Sequence, residues 1–416
     1  MPSPLSVLTH NRDFRRLFAA ELVIFGGDWF VMIPLLGLLT KLTGGNLMGS
    51  LALAADTGIT ALLLPYAGTI ADRFDRRKIM VVANLGAIVA VLLLFFVHSG
   101  HTAWLGPVAV GGVAVGKAFY SPAASAAVPN VVEPGELLDA LAVSGSAWGT
   151  MAVVGASLGG VLAAAFSPYT CFVITAVGLC LSAALVFSVR RPMQAPRAAA
   201  VEPARTFAAI GEALRYLRRH PWVRALVTVK SAVGVGNGVL AIYPALALLL
   251  HAGNLGTGLL FAVRGAGALI GPLLLRRLIR RHPTRLLPSL ALSMSAYGVA
   301  YLAVSITRWF GLVLVLILIA HAAGAGNWTM SNVAIQQAVP DALRGRVSAA
   351  DLMLATISMA SGQILVGLLI DHTAPRALIA ACGATTLVYA IGWRLITLRL
   401  ARREQAGVPA TEELSS

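Results

Sequence analysis

Apolar runs of about 20 residues recur from one end of this chain to the other, and each is long enough to cross roughly 30 Å of hydrocarbon as a helix. Twelve such runs can be marked, at about 15–40, 47–71, 78–98, 103–125, 138–165, 169–189, 222–250, 254–275, 285–306, 309–332, 349–370 and 376–396. Hydrocarbon offers no partner to peptide N–H and C=O groups, so only helices and closed barrels can span a bilayer. The runs are too long and too evenly apolar for barrel strands, which alternate over about 10 residues. They predict an all-α polytopic membrane protein with twelve transmembrane helices. Of the 416 residues, 58% are hydrophobic and 12% charged, whereas a soluble domain carries roughly 25% charged residues. That excludes a disordered chain and an ordinary soluble enzyme, and three cysteines exclude a disulfide scaffold. The first run is expected to be a true span and not a cleavable signal. It follows a polar segment, contains Glu21 and Asp28, and lacks a small-residue cleavage site.

The charges sort by loop. The chain is strongly basic, with 32 Lys and Arg against 17 acidic residues. Twenty-six of the 32 basic residues fall on the even-numbered loops and the two tails, three on the odd loops, and three inside spans. The positive-inside rule then predicts both termini in the cytoplasm of a cell-membrane protein. It also removes nucleic acid as a partner, because the basic residues face anionic lipid.

The longest connection, 190–221, splits the chain into six-span bundles at 1–189 and 222–400, with a tail at 401–416. Its last part, Phe207 to Arg219, is a basic amphipathic segment. Ile210, Leu214 and Leu217 share one side and Arg215, Arg218 and Arg219 the other, a pattern expected of a helix lying on the inner membrane surface. The two bundles read as diverged copies. Phe14-Arg15-Arg16-Leu17 aligns with Val223-Arg224-Ala225-Leu226 at an offset of 209, which pairs Glu21 with Lys230 and Asp28 with Asn237. Gly68 and Arg73 align with Gly271 and Arg276, and Val128-Pro129 with Val339-Pro340.

The loop after the second run reads Gly68-Thr69-Ile70-Ala71-Asp72-Arg73-Phe74-Asp75-Arg76-Arg77-Lys78. In place and spacing it resembles the signature loop of the major facilitator superfamily. Further stretches resemble the macrolide-efflux and enterobactin-exporter-like branch: Asn11 to Leu17 leading into Gly27-Asp28-Trp29, Leu137-Leu138-Asp139-Ala140-Leu141, and Val339-Pro340-Asp341 with Arg344-Gly345-Arg346-Val347. The resemblance covers nearly the whole chain. It implies two pseudo-symmetric six-helix bundles, the major facilitator fold, that rock about a central site. It also implies a proton-driven exporter of drugs, macrolides or siderophores, working as a monomer. Gly68, Asp72, Arg73, Arg76 and Arg77 are then expected to form a cytoplasmic gate, with Gly68 admitting a neighbouring helix. Asp72 is expected near the N-terminus of span eleven, and Arg73 and Arg76 reaching across the halves. The antiporter motif of the family reads Gly155-Ala156-Ser157-Leu158-Gly159-Gly160 here, with Ala156 in place of its proline. Its glycines suit close helix packing, and a role in export direction stands beside that reading.

An ionisable group at mid-bilayer is costly and marks a candidate site. Asp28 and Asp56, with Glu21 nearer the cytoplasm, are the candidate proton carriers, and Lys117 is the cation that could pair with them. A static ion pair is the competing reading. Lys230 and Arg264 have no obvious acidic partner in the second half. They either pair across the halves or face an anionic substrate. Lys117, Lys230, Asn237, Arg264, Trp328 and Asn332 are the candidate cavity residues, with Gln336 and His321 on the same helix as Trp328.

Gly111-x4-Gly116-Lys117-Ala118 is one residue short of a nucleotide-binding loop and lies in an apolar run. No catalytic triad, cofactor motif or metal-ligand cluster is present, so neither an enzyme nor a resident metal is expected. The expected activity is proton-coupled efflux of a small amphipathic molecule. Uptake or lipid flipping by the same fold, and a non-transporting membrane sensor, are the alternatives.

Overall fold

The computed structural model describes residues 6–194, 206–281 and 285–405. Eleven helices among the described residues are long and apolar enough to cross a membrane. A further helix, Leu137–Ala165, has the length of a span and an apolar second part, Gly149–Ala165. The protein is a multi-pass, all-helical membrane protein.

The chain divides into two compact units. Unit 1 runs to Pro203 and includes Gly253–Ala262; unit 2 holds Ala204–Ala252 and the chain from Val263 onward. The division falls inside the 190–221 connection.

Unit 1 contains α1 (Arg12–Thr43), α2 (Leu47–Arg73), α3 (Arg76–Leu93), α4 (Leu105–Val131), α5 (Leu137–Ala165) and α6 (Pro168–Ser188). Their ends follow local chemistry. The Asn11 side chain accepts the Phe14 N–H at 2.9 Å and starts α1. Gly44, at φ 69°, ends it in the left-handed conformation that suits glycine. Asp75 caps α3 through the Lys78 N–H, and Ser167 followed by Pro168 opens α6.

Unit 2 begins with α7 (Thr206–Arg219), followed by α8 (Pro221–Gly236) and α9 (Tyr243–Leu249). The sequence reads 222–250 as one run; the structure breaks it with a 3-10 stretch, Asn237–Ile242. Pro244 has no N–H to continue an α-helical ladder through that stretch. Gly238 and Gly362 also bring two backbones together: a Cβ on either would lie 2.6 Å from the Gly362 or the Val235 carbonyl oxygen. The unit continues with α10 (Gly253–Arg281, from Val263), α11 (Leu286–Ile306), α12 (Phe310–Ala338), α13 (Asp341–Leu369) and α14 (Pro375–Ile396).

Helix α7 is amphipathic as expected, but part of its apolar side is covered by protein. Ala213 and Leu217 are buried while Leu214 is half exposed, and Glu212 pairs with Arg346 of α13. Ile210 lies outside the residues whose side chains are described. Of the cysteines, Cys171 and Cys382 are buried and Cys180 is exposed.

The two aligned glycines behave differently. Among the described residues a Cβ on Gly68 would meet nothing within 4 Å, so the close helix approach expected there is not seen among them. A Cβ on Gly271 would collide with the Ala322 carbonyl, and one on Gly267 would lie 2.6 Å from the Leu318 oxygen. Backbone cannot yield as a side-chain end does, so overpacking here costs about 1–3 kcal/mol or more. Gly271→Ala is therefore expected to lower the yield of monodisperse protein in detergent. Gly68→Ala should match the wild type, as read by size-exclusion chromatography.

Candidate functional site

Asp28, Asp56 and Lys117 each lie near the middle of a long apolar helix, on α1, α2 and α4. Lysine is brought between them by glycine. A Cβ on Gly111 would lie 2.8 Å from Ile59 Cδ1 of α2, and one on Gly116 2.8 Å from the Ala83 carbonyl oxygen of α3. The stretch that mimics a nucleotide-binding loop is thus a helix face that lets α4 settle against α2 and α3. From that position Lys117 Nζ donates to Asp28 Oδ2 and to Asp56 Oδ1, both at 2.7 Å. The three side chains stay partly open, at 13%, 21% and 28% exposure for Lys117, Asp28 and Asp56. One ammonium faces two carboxylates, so the fully ionised cluster carries one excess negative charge.

The structure also says what holds Asp28 in place. Its neighbour Trp29 sits on the glycines of α5. A Cβ on Gly155 would lie 3.0 Å from Trp29 Cδ1, and one on Gly159 3.0 Å from the Trp29 carbonyl oxygen. The Trp29 ring tilts against Phe261 at 5.5 Å. Gly160 meets Gly258, whose Cα would be 2.7 Å from an added Cβ. The Gly155-to-Gly160 motif therefore packs α5 against the segment of α1 that carries Asp28. Glu21, one helical stretch earlier, is buried with Ser144 as its hydrogen-bonding partner, apart from the triad.

Unit 2 holds a second buried cation, and its geometry corrects the sequence reading. Lys230 of α8 is 1% exposed and pairs with Asp351 of α13, itself 2% exposed. Its Nζ also donates to Asn332 Oδ1 at 2.6 Å and stands 5.3 Å from the Trp328 ring centroid. Lys230 therefore has its acidic partner within its own unit and does not stand free for an anionic substrate. Asp351 is its partner because α13 starts at Asp341, eight residues before the expected 349. Ten residues along a helix put Asp351 about 15 Å in from that end. Asn237 is buried at the break of the seventh span and donates to the Val233 carbonyl at 2.8 Å. Gln336 is exposed and Arg264 half buried.

One polar cluster escaped the sequence reading. The Tyr243 and Tyr301 hydroxyls hydrogen-bond at 2.7 Å, and Tyr301 reaches His321 Nε2 at 2.7 Å. The only sequence signal is that a buried hydroxyl or imidazole needs a partner.

The signature loop lies against its own unit. Arg76 Nη1 donates to the Ala126 and Met193 carbonyls at 2.7 and 3.1 Å, and Arg77 Nη2 to the Arg191 carbonyl at 3.2 Å. These carbonyls all belong to unit 1, and Arg73 is exposed. The Asp72 side chain lies outside the described residues.

The chain matches the family model described as "Transmembrane secretion effector" over residues 2–413. It is 27% identical over 409 residues to the uncharacterized MFS-type transporter YfiS of Bacillus subtilis, covering 96% of this chain and 95% of that one. Identity to the enterobactin exporter EntS of Salmonella typhi is 25% over 372 residues, covering 83% and 82% of the two chains. Macrolide efflux protein A of Streptococcus pyogenes is 24% identical over 218 residues, covering 52% and 54%. Among solved structures, the peptide transporter POT superposes with a TM-score of 0.75 at 12% identity, covering 97% and 99%. A bacterial homolog of the human lysosomal transporter Spinster gives 0.72 at 16% identity, also covering 97% and 99%.

The Lys230–Asp351 pair is closed off from solvent on both sides. Removing one partner of a buried pair leaves an uncompensated charge and costs about 3–5 kcal/mol, whereas replacing both by apolar groups is close to neutral. Asp351→Asn should therefore lower the melting temperature of the detergent-solubilised protein markedly. The double variant Lys230→Met/Asp351→Leu should recover most of that loss.

Proposed function

Because the chain belongs to the transmembrane secretion effector family of major facilitator transporters, we propose that it exports a small amphipathic drug, siderophore or other metabolite in exchange for protons. The observation that carries the proposal is the excess negative charge of the Asp28–Lys117–Asp56 cluster. A carboxylate without its own counter-ion is costly at this depth, and the smallest neutralising partner is a proton. A proton taken up by Asp28 or Asp56 leaves one carboxylate on Lys117 and makes the cluster neutral. Its release restores the charge. The two states hold α1, α2 and α4 together with different strength, which couples protonation to rearrangement of the unit. Alternating access then moves a proton inward and a substrate outward, in a protein acting as a monomer in the cell membrane. The basic loops support a cytoplasmic location for both termini.

Direction is supported by two relatives, one named for macrolide efflux and one for enterobactin export. By contrast, the Lys230–Asp351 pair is already neutral and needs no proton. It serves as a fixed brace between α8 and α13.

The test uses everted vesicles with a preset pH gradient. Adding a transported compound is expected to dissipate the gradient with wild-type protein. Asp28→Asn is expected to remove that dissipation at normal membrane levels of the protein. Substrate movement with an unchanged gradient in the wild type, or wild-type coupling in the variant, would contradict the proposal.

A further inference from the structure

A cavity of about 510 Å³ opens at the end of unit 1 where α1 begins, α4 passes into α5, and α6 ends. It is large enough for a small polar ligand. Its wall carries four arginines, Arg12, Arg16, Arg190 and Arg191, and three carboxylates, Asp13, Glu133 and Glu136.

The carboxylates are already committed. Asp13 accepts the backbone N–H groups of Arg190 and Arg191 at 3.2 and 3.0 Å and an N–H of Arg16 at 3.3 Å. Glu133 pairs with Arg191 at 2.6 Å, and Glu136 accepts from Asn11 Nδ2 and the Glu133 N–H, each at 3.3 Å. Arg12 and Arg190 differ. Both are exposed, and neither guanidinium has a hydrogen bond or ion pair among the described residues. Four cations against three anions leave a surplus of one positive charge, carried by groups whose planar forks match phosphate oxygens.

We propose that this cavity is a binding site for a phosphodiester headgroup of net charge −1, that of an anionic glycerophospholipid, held by Arg12 and Arg190. The position supports a lipid source. The cavity sits at the first turn of one span and just past Ser188, the last residue of another, and basic pockets at such span ends take anionic lipid headgroups. The charge balance supports the −1 class. A zwitterionic headgroup brings an ammonium that would need a free carboxylate, and the carboxylates here are taken.

Occupancy reaches the signature loop. The segment 190–194 forms one wall of the cavity through Arg190 and Arg191, and its carbonyls receive Arg77 and Arg76. A headgroup that steadies Arg190 steadies the strip on which those two arginines dock. This goes beyond the exchange cycle and does not depend on which ion drives it.

The experiment uses the full chain purified in detergent, titrated with phosphatidylglycerol, phosphatidylcholine and soluble glycerol 3-phosphate. Binding is read by thermal stabilisation. Phosphatidylglycerol is expected to bind roughly tenfold tighter than phosphatidylcholine, a difference of about 1.4 kcal/mol. Arg12→Gln/Arg190→Gln should erase that preference. Equal affinity for the two lipids, or a preference that survives in the double variant, overturns the proposal. Displacement of phosphatidylglycerol by glycerol 3-phosphate at matching concentration overturns the lipid assignment in favour of a soluble phosphate ester. If the double variant does not accumulate, the wild type decides by arginine modification with phenylglyoxal. Phosphatidylglycerol should protect Arg12 and Arg190 but leave the exposed Arg308 reactive. Unprotected Arg12 and Arg190 would rule the site out.

Discussion

The cost of placing charge in hydrocarbon organises this molecule. Twenty-six of its 32 basic residues stay at span ends and tails, where water and lipid headgroups solvate them. Inside the spans a charge persists only with a partner. The two units meet that demand differently. Unit 2 sets Lys230 against Asp351 and Asn332 and closes the account at zero. Unit 1 sets Lys117 between Asp28 and Asp56, one ammonium for two carboxylates. A neutral, fully buried pair has no reason to change state. A partly open cluster with an odd charge does, and the proposed exchange rests on that asymmetry.

Glycine supplies the second constraint. Small residues at a crossing let two helix backbones approach closely and fix how their neighbouring side chains meet. Gly111 and Gly116 clear the way for Lys117, while Gly155 and Gly159 seat Trp29 beside Asp28. In unit 2, Gly267 and Gly271 bring α10 against α12. The Gly155-to-Gly160 stretch, with Ala156 at its second position, makes these close contacts through its glycines.

Much of this was readable before any coordinates. Long apolar runs announce helices, and an aspartate in such a run announces itself, which is why Asp28, Asp56 and Lys117 stand out together. Their geometry was not readable, because it depends on which helix faces touch. The partner of Lys230 was missed through a helix boundary. Asp351 lies close to a span end only if α13 starts at 349, and Asp341 starts it earlier. Pro244 signals a break that an apolar-run reading smooths over. The Tyr243–Tyr301–His321 cluster joins residues from three helices by single hydrogen bonds, a relation no local pattern encodes. Signature-loop residues were recognisable by type, yet Arg76 and Arg77 turn to carbonyls of their own unit. Spacing records which groups are present and not where they point.

In the proposed exchange the Asp28–Lys117–Asp56 cluster holds one exchangeable proton on its carboxylates. Infrared difference spectroscopy of the purified protein, stepped from high to low pH, tests this without any substrate. The expected result is a protonated-carboxylic-acid C=O band that grows as pH falls, shifts in heavy water, and is lost in Asp28→Asn/Asp56→Asn. A spectrum with no such band, or the same band in the double variant, would contradict it.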